Sequence, residues 1–186
     1  MMTASTKAEG RETQRHEARR LARHVLLAQT GHRSSFDGLL RAVQDRLLGY
    51  LLRLVGNRAL AEDILQDTFL TIVKQLKFLR DPEAFVAWSY RIANRQAQRV
   101  LRRAGREPKG DILPDELPAP ADEHDAPTRE DIDRLMRNAS PASQVVLHLH
   151  YLEELPLHEV AAILELPLGT VKSRLSYGLA ALRRRC

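Results

Sequence analysis

Leu155–Leu182, LPLHEVAAILELPLGTVKSRLSYGLAAL, decides how this chain is read. Leu157, Val160, Ala161 and Leu164 recur at three- and four-residue spacing, the mark of one apolar helical face. Glu165, Leu166 and Pro167 then interrupt the helix, because a proline disfavours helical geometry in the residue before it. Beyond the break, Val171, Leu175, Gly178 and Leu182 form a second apolar stripe. At about 100° per residue, Thr170, Ser173 and Tyr177 point away from that stripe, and Lys172 and Arg174 sit on its shoulders. A short helix, a turn and a second helix with small polar tips and flanking cations is the helix-turn-helix layout, and the small Ala161 lets the two helices approach closely. An ordinary helical hairpin with a solvated outer face has the same periodicity, so the pattern alone leaves both readings open.

Composition narrows the classes. The chain has 186 residues, enough for one domain or two small ones, with few aromatics and a formal charge of +5 that suits a polyanionic partner. Its single cysteine, Cys186, excludes an intramolecular disulfide and a cysteine-based zinc site. His148 and His150 are two apart and fall on different helix faces, so no metal and no cofactor is expected. Near the start the longest apolar run, Val25–Ala28, is too short for a signal core or a membrane span. The expectation is a cytoplasmic protein without membrane insertion.

In chain order, residues 1–23 are polar and mostly basic, with Arg11, Arg15, Arg19 and Arg23 on one face and no apolar face to dock it. That composition predicts a flexible extension. Phe36, Leu39, Leu40, Val43, Leu47, Leu51 and Val55 mark a long amphipathic helix, with Gly56 as its stop and Asn57 as cap of the next. That next helix turns Leu60, Ala61, Ile64, Thr68 and Ile72 inward and shows Asp63, Gln66, Asp67 and Leu70 outward. Leu76–Asp81 reads as a loop and Pro82 as a first-turn proline. In the third helix Phe85, Trp88, Ile92 and Val100 face the core, so Trp88 reads as core rather than as a platform for bases. The opposite face carries Arg91, Arg95, Arg99, Arg102 and Arg106, with Arg103 beside them and Asn94 and Gln98 alongside. Like charges at i, i+4 repel, and a phosphate backbone is the natural counter-charge. Residues 104–128 hold five prolines and, from Asp111 to Asp125, acidic residues without a single Lys or Arg, which predicts a flexible linker. A second helical unit, 129–186, opens with Asp131, Leu135 and Met136. It has Ser140-Pro141 as cap and first turn and Val145, Val146, Leu149 and Leu152 as core.

Two runs carry a family resemblance. Ala61–Phe69 (AEDILQDTF) and Gly169–Leu175 (GTVKSRL), in that order, resemble the N- and C-terminal domains of the extracytoplasmic-function sigma factors, the compact bacterial transcription initiation factors. The resemblance implies core RNA polymerase and promoter DNA as partners, and allows an anti-sigma protein. It implies that Asp63, Gln66, Asp67 and Leu70 dock on the polymerase. The run FVAWSYRIAN resembles the segment that melts the promoter and reads its −10 element. This implies DNA contacts from Arg91, Asn94, Arg95, Gln98 and Arg99, and a base-cupping loop with Phe78 and Arg80; Arg102 and Arg103, from the arginine stripe, extend the expected DNA face. For the −35 element it implies Thr170, Ser173 and Tyr177 at base edges and Lys172, Arg174 and Ser176 at phosphates or the groove rim. The chain departs from the family pattern with Arg95 for asparagine, Arg99 for aspartate, Pro156 for a capping serine and Glu165 for glycine. Tyr177 and Leu179 stand where many relatives carry arginines.

The reading is therefore an all-α protein of two small helical domains, 24–103 and 129–186, joined by the linker. It is a promoter-recognition factor and not an enzyme, having no glycine-rich phosphate loop or nucleophile–base pairing. A stand-alone helix-turn-helix regulator and a polymerase-binding decoy that has lost promoter reading are the alternatives.

Overall fold

Gly56 and Asn57 divide the first long apolar run in two. Gly56 closes one helix in the left-handed conformation (φ 68°), and the Asn57 side chain accepts a hydrogen bond from the Leu60 N–H at 2.9 Å to start the next. In the computed structural model the helices are α1 (Thr3–Gln29), α2 (Arg33–Val55), α3 (Arg58–Gln75), α4 (Phe85–Arg103), α5 (Pro141–Leu147), α6 (Leu157–Leu164) and α7 (Leu168–Arg183). Short 3-10 turns at Leu76–Phe78 and Pro82–Ala84 join α3 to α4, and α5 runs on as a π-turn over His148–Leu152. The structure describes the backbone of residues 3–105, 132 and 139–183, and side chains within 16–105, 132 and 139–180. Arg106 and the linker beyond it, Asp131, Leu135 and Met136 lie outside the described residues.

The described chain is all-α, and its caps follow the local chemistry. Ser140 accepts from the Ser143 N–H with Pro141 in the first turn. Asp81 accepts from the Glu83 N–H at 3.0 Å with Pro82 behind it. The core of the first unit holds Leu39, Val43, Leu47 and Leu51 of α2, Ile64 and Ile72 of α3, and Phe85, Ala93 and Ala97 of α4. Trp88 is half-buried against this core beside Phe85.

The described part of the N-terminal stretch is helical, and its end reaches the core. From Thr3 the chain is one helix through Gln29, and Leu21 and Val25, four residues apart, are buried in the same core. A boundary at residue 23 splits that pair and hides the apolar contact that docks α1. Gln29 anchors its far end, donating to the Leu76 and Leu79 carbonyls at 2.9 Å each and so holding the turn before α4.

The two units pack on one another. Val145 and Val146 of α5, Leu149 of the π-turn, and Val160 and Ile163 of α6 join the core cluster of α2 and α4. A polar knot crosses this junction. Arg46 of α2 places Nη2 2.6 Å and Nε 2.7 Å from Glu153 Oε2, and its Nη1 3.1 Å from Glu17 of α1. Burial works against the charge on Arg46, yet Glu153 beside it holds the guanidinium above its ordinary range. Tyr50 and Tyr90 meet edge to face, with centroids 5.2 Å apart, and the His148 ring lies 6.0 and 6.2 Å from them. Burial pushes both phenols up, with the Glu153 carboxylate adding to the effect at Tyr90.

His148 is 4% exposed, and burial together with the Arg53 and Arg46 charges pushes its pKa down from 6.5 to about 3. Glu153 Oε1 lies 3.6 Å from His148 Nε2, but its charge is engaged by Arg46 and does not reverse the effect. The folded chain therefore keeps His148 neutral, whereas the unfolded chain protonates it below about pH 6.5. Stability contributed by the neutral ring is complete above pH 6.5 and is lost as pH falls toward 3. At pH 5 the loss is about 2 kcal/mol. Urea unfolding across this range should show it, and His148→Leu should flatten the dependence.

Candidate nucleic-acid interface

Asp63, Gln66, Asp67 and Leu70 lie on one exposed face of α3, because the opposite face buries Ala61, Ile64, Leu65, Thr68 and Ile72. Leu70 is 57% exposed, and Val73, one turn on, is 52% exposed. Sequence reading missed Val73, although its i+3 spacing from Leu70 continues the face. Two large apolar side chains beside two carboxylates make a surface that can bury hydrocarbon and pair with cations together.

Helix α4 carries the arginines. Arg99, Arg102 and Arg103 are exposed; Arg99 donates to Gln96 and Arg102 to the Gln98 carbonyl, each at 3.3 Å. Together with Arg95 and Glu165 they border a groove of about 480 Å³. Arg91 and Gln98 are half-buried. The turn before α4 presents Phe78, 70% exposed, with the Lys77 ammonium 4.9 Å from its ring centre, and Arg80 exposed beside it. An aromatic with a neighbouring cation can stack a base and meet its phosphate.

One residue of the expected DNA face sits elsewhere. Asn94 is 1% exposed, not solvent-facing. Its Oδ1 accepts from the Tyr50 hydroxyl and its Nδ2 donates to the Ile163 carbonyl of α6, both at 2.9 Å. Arg95 is exposed on the groove and is paired there with Glu165 at 2.7 Å. The second unit packs over Asn94, and a single-helix pattern cannot reveal that.

Helix α7 is set by its inner side. Val171 is fully buried, Leu175 and Leu179 pack on Leu147, and Gly178 faces α5 so closely that an added Cβ would lie 2.9 Å from Leu147 Cδ1. Leu179 thereby joins the apolar side. Lys172 is exposed, whereas Thr170, Ser173, Arg174, Ser176 and Tyr177 are half-buried; the Ser173 hydroxyl donates to the Gly169 carbonyl at 3.0 Å. The break before α7 is made by Glu165 in the left-handed conformation (φ 57°, ψ 40°), a position that favours glycine. No described helix is long and apolar enough to cross a membrane.

Comparison with known proteins agrees with both halves of this geometry. Residues 39–107 match the sigma-70 region 2 family, and residues 135–184 match sigma-70, region 4. The chain belongs to the extracytoplasmic-function sigma factors of the sigma-70 family. The RNA polymerase sigma-H factor of Pseudomonas aeruginosa is 29% identical over 165 residues, 79% of this chain and 83% of that protein. The ECF sigma-E factor of Haemophilus influenzae is 28% identical over 161 residues, 79% and 85% of the two chains. Among solved structures, the sigma factor RpoE of Bartonella quintana, crystallised with the anti-sigma factor NepR, superposes with a TM-score of 0.58. That match is at 22% identity, covers 80% of this chain and 94% of that one, and speaks to the fold alone. The chain is an RNA polymerase sigma factor that acts with core polymerase in promoter recognition; a stand-alone regulator or a decoy is not favoured. Sigma factors are non-catalytic initiation factors.

The Gly178 contact gives a test of how α7 is seated. Gly178→Val drives a branched side chain into Leu147, which is fully buried and has little room to yield. Overpacking of this kind costs about 1–3 kcal/mol. The urea midpoint should fall with unchanged slope, and duplex binding by the second unit should weaken.

Proposed function

We propose that this sigma factor docks on core RNA polymerase through Asp63, Gln66, Asp67 and Leu70, with Val73 extending the face. It melts and holds promoter DNA along α4 and the preceding turn, and reads the −35 element with α7. The single observation that carries the docking assignment is the exposed strip of two carboxylates, an amide and two apolar side chains on one face of α3. For DNA, the support is the groove of arginines on α4 beside the exposed Phe78 and Arg80. Arg95, Arg99, Arg102 and Arg103 contact phosphate, and Arg91 and Gln98 line the same strand. On α7, Thr170, Ser173 and Tyr177 face base edges, with Lys172, Arg174 and Ser176 on the backbone. Region 2 function belongs to about 24–103 with α1 packed on it, region 4 function to about 129–186, and 104–128 links them. The factor works in the cytoplasm, catalyses no reaction itself, and has an anti-sigma protein as a further partner, as the Bartonella protein does.

Run-off transcription with purified core polymerase over genomic fragments tests the whole reading: defined transcripts appear only when the factor is added. Asp63→Arg with Asp67→Arg should abolish co-purification with core polymerase while helicity is unchanged, since like charges facing across an interface cost several kcal/mol. Arg99→Ala with Arg102→Ala should reduce the salt dependence of single-strand binding, the slope of log K against log salt becoming shallower by about 0.7 per arginine removed.

A further inference from the structure

Among the described residues Phe78 is the most exposed of the large hydrophobics, at 70%. A ring so open is not placed by packing, so the backbone that carries it has to place it. That backbone is a single 3-10 turn, Leu76–Phe78, closed by the Leu79 N–H donating to the Leu76 carbonyl at 3.0 Å. Turns of this kind have poorer hydrogen-bond geometry than an α-helix. Leu79 is already extended (φ −69°, ψ 107°), so the chain leaves helical geometry directly after the ring.

Gln29, the last residue of α1, ties both flanks of this turn. Its amide nitrogen donates to the Leu76 carbonyl and to the Leu79 carbonyl, 2.9 Å each, across 47 and 50 residues of chain. A carboxamide nitrogen carries two hydrogens, and here one goes to each side of Phe78. Beneath the turn Leu76 is buried and Leu79 is half-buried on the same core. Beyond it Asp81 caps the next turn through the Glu83 N–H.

We infer that Gln29 is a positioning residue for base recognition: it holds the turn so that Phe78 stands outward to stack on an unpaired base. The inference rests on the reading of this turn as the base-cupping loop and adds the residue that sets its geometry. A platform fixed before DNA arrives loses no binding free energy to ordering. Without Gln29 the two carbonyls turn to water and the ring samples orientations that do not stack.

The test assembles the full-length chain with core polymerase and titrates two labelled single strands of equal length at fixed salt, one of mixed sequence and one abasic throughout. The ratio of their affinities reads base contacts, because the phosphates are common to both. Stacking on an aromatic strengthens binding on the order of tenfold per base, and Phe78→Ala should lower the ratio by about that factor. Gln29→Leu should lower it most of the way to the same value, with abasic-strand affinity, helicity and polymerase binding unchanged. Added to Phe78→Ala, it should have no further effect, since it acts through that ring. Gln29→Lys, whose ammonium still donates to both carbonyls, should restore the ratio. Hydrogen exchange at the Leu79 amide should be faster in Gln29→Leu than in the wild type. A ratio that Gln29→Leu leaves unchanged, or an equal loss on both strands, would overturn the inference; the second result makes Gln29 a support of the fold alone. An unprotected Leu79 amide in the wild-type chain would overturn it too, whether or not the variants fold. If Phe78→Ala leaves the ratio unchanged, the reading of the turn as a base cup fails and the inference goes with it. If Phe78→Ala lowers the ratio and Gln29→Leu does not, only the role of Gln29 fails.

Discussion

A buried carboxamide organises the junction on which the shape of this molecule depends. Asn94 has a donor and an acceptor that must be satisfied away from water, and leaving either unmade costs about 1–3 kcal/mol. Tyr50 supplies the hydrogen for one and the Ile163 carbonyl receives the other. Those partners come from two other helices, so α2, α4 and α6 are fixed in one relative placement. Apolar packing alone would tolerate sliding; a polar group with two directional partners does not. The Tyr50, Tyr90 and His148 rings around it fill the space, and burial keeps His148 neutral so that no added charge disturbs the Arg46–Glu153 pair.

That pair obeys the same logic. Removing one partner of a buried ion pair costs about 3–5 kcal/mol because the other charge is stranded, whereas an apolar replacement of both is often neutral. Its presence therefore argues for placement rather than for stability. Arg46 is also reached by Glu17, so α1 belongs to the arrangement and not only to the core beneath it.

Much of this was legible in the chain because it is local. Gly56, Asn57, Ser140 and Pro141 act within a few residues of themselves, and the helix ends stand where they predict. The face of α3 and the arginine row of α4 follow from helical spacing. What sequence reading missed depends on distance along the chain: Tyr50 meets Asn94 over 44 residues, Asn94 meets Ile163 over 69, and Arg46 meets Glu153 over 107. A periodicity argument treats one helix facing one core and sends a polar asparagine outward. Helix α4 faces two partners, with Phe85, Ser89, Ala93 and Ala97 buried along one line and Tyr90 and Asn94 along another. The same one-face assumption left α1 without a docking surface.

Arg95 and Glu165 show how two departures from the family pattern can be one feature. Each replaces a residue common among relatives, and in the folded chain they face each other at 2.7 Å. Energy alone does not account for them. Side chains 63% and 53% exposed form a pair worth about 0–1 kcal/mol, while a non-glycine residue in the left-handed conformation costs about 1–2 kcal/mol. The pair thus fails to offset the strain of the turn that carries it.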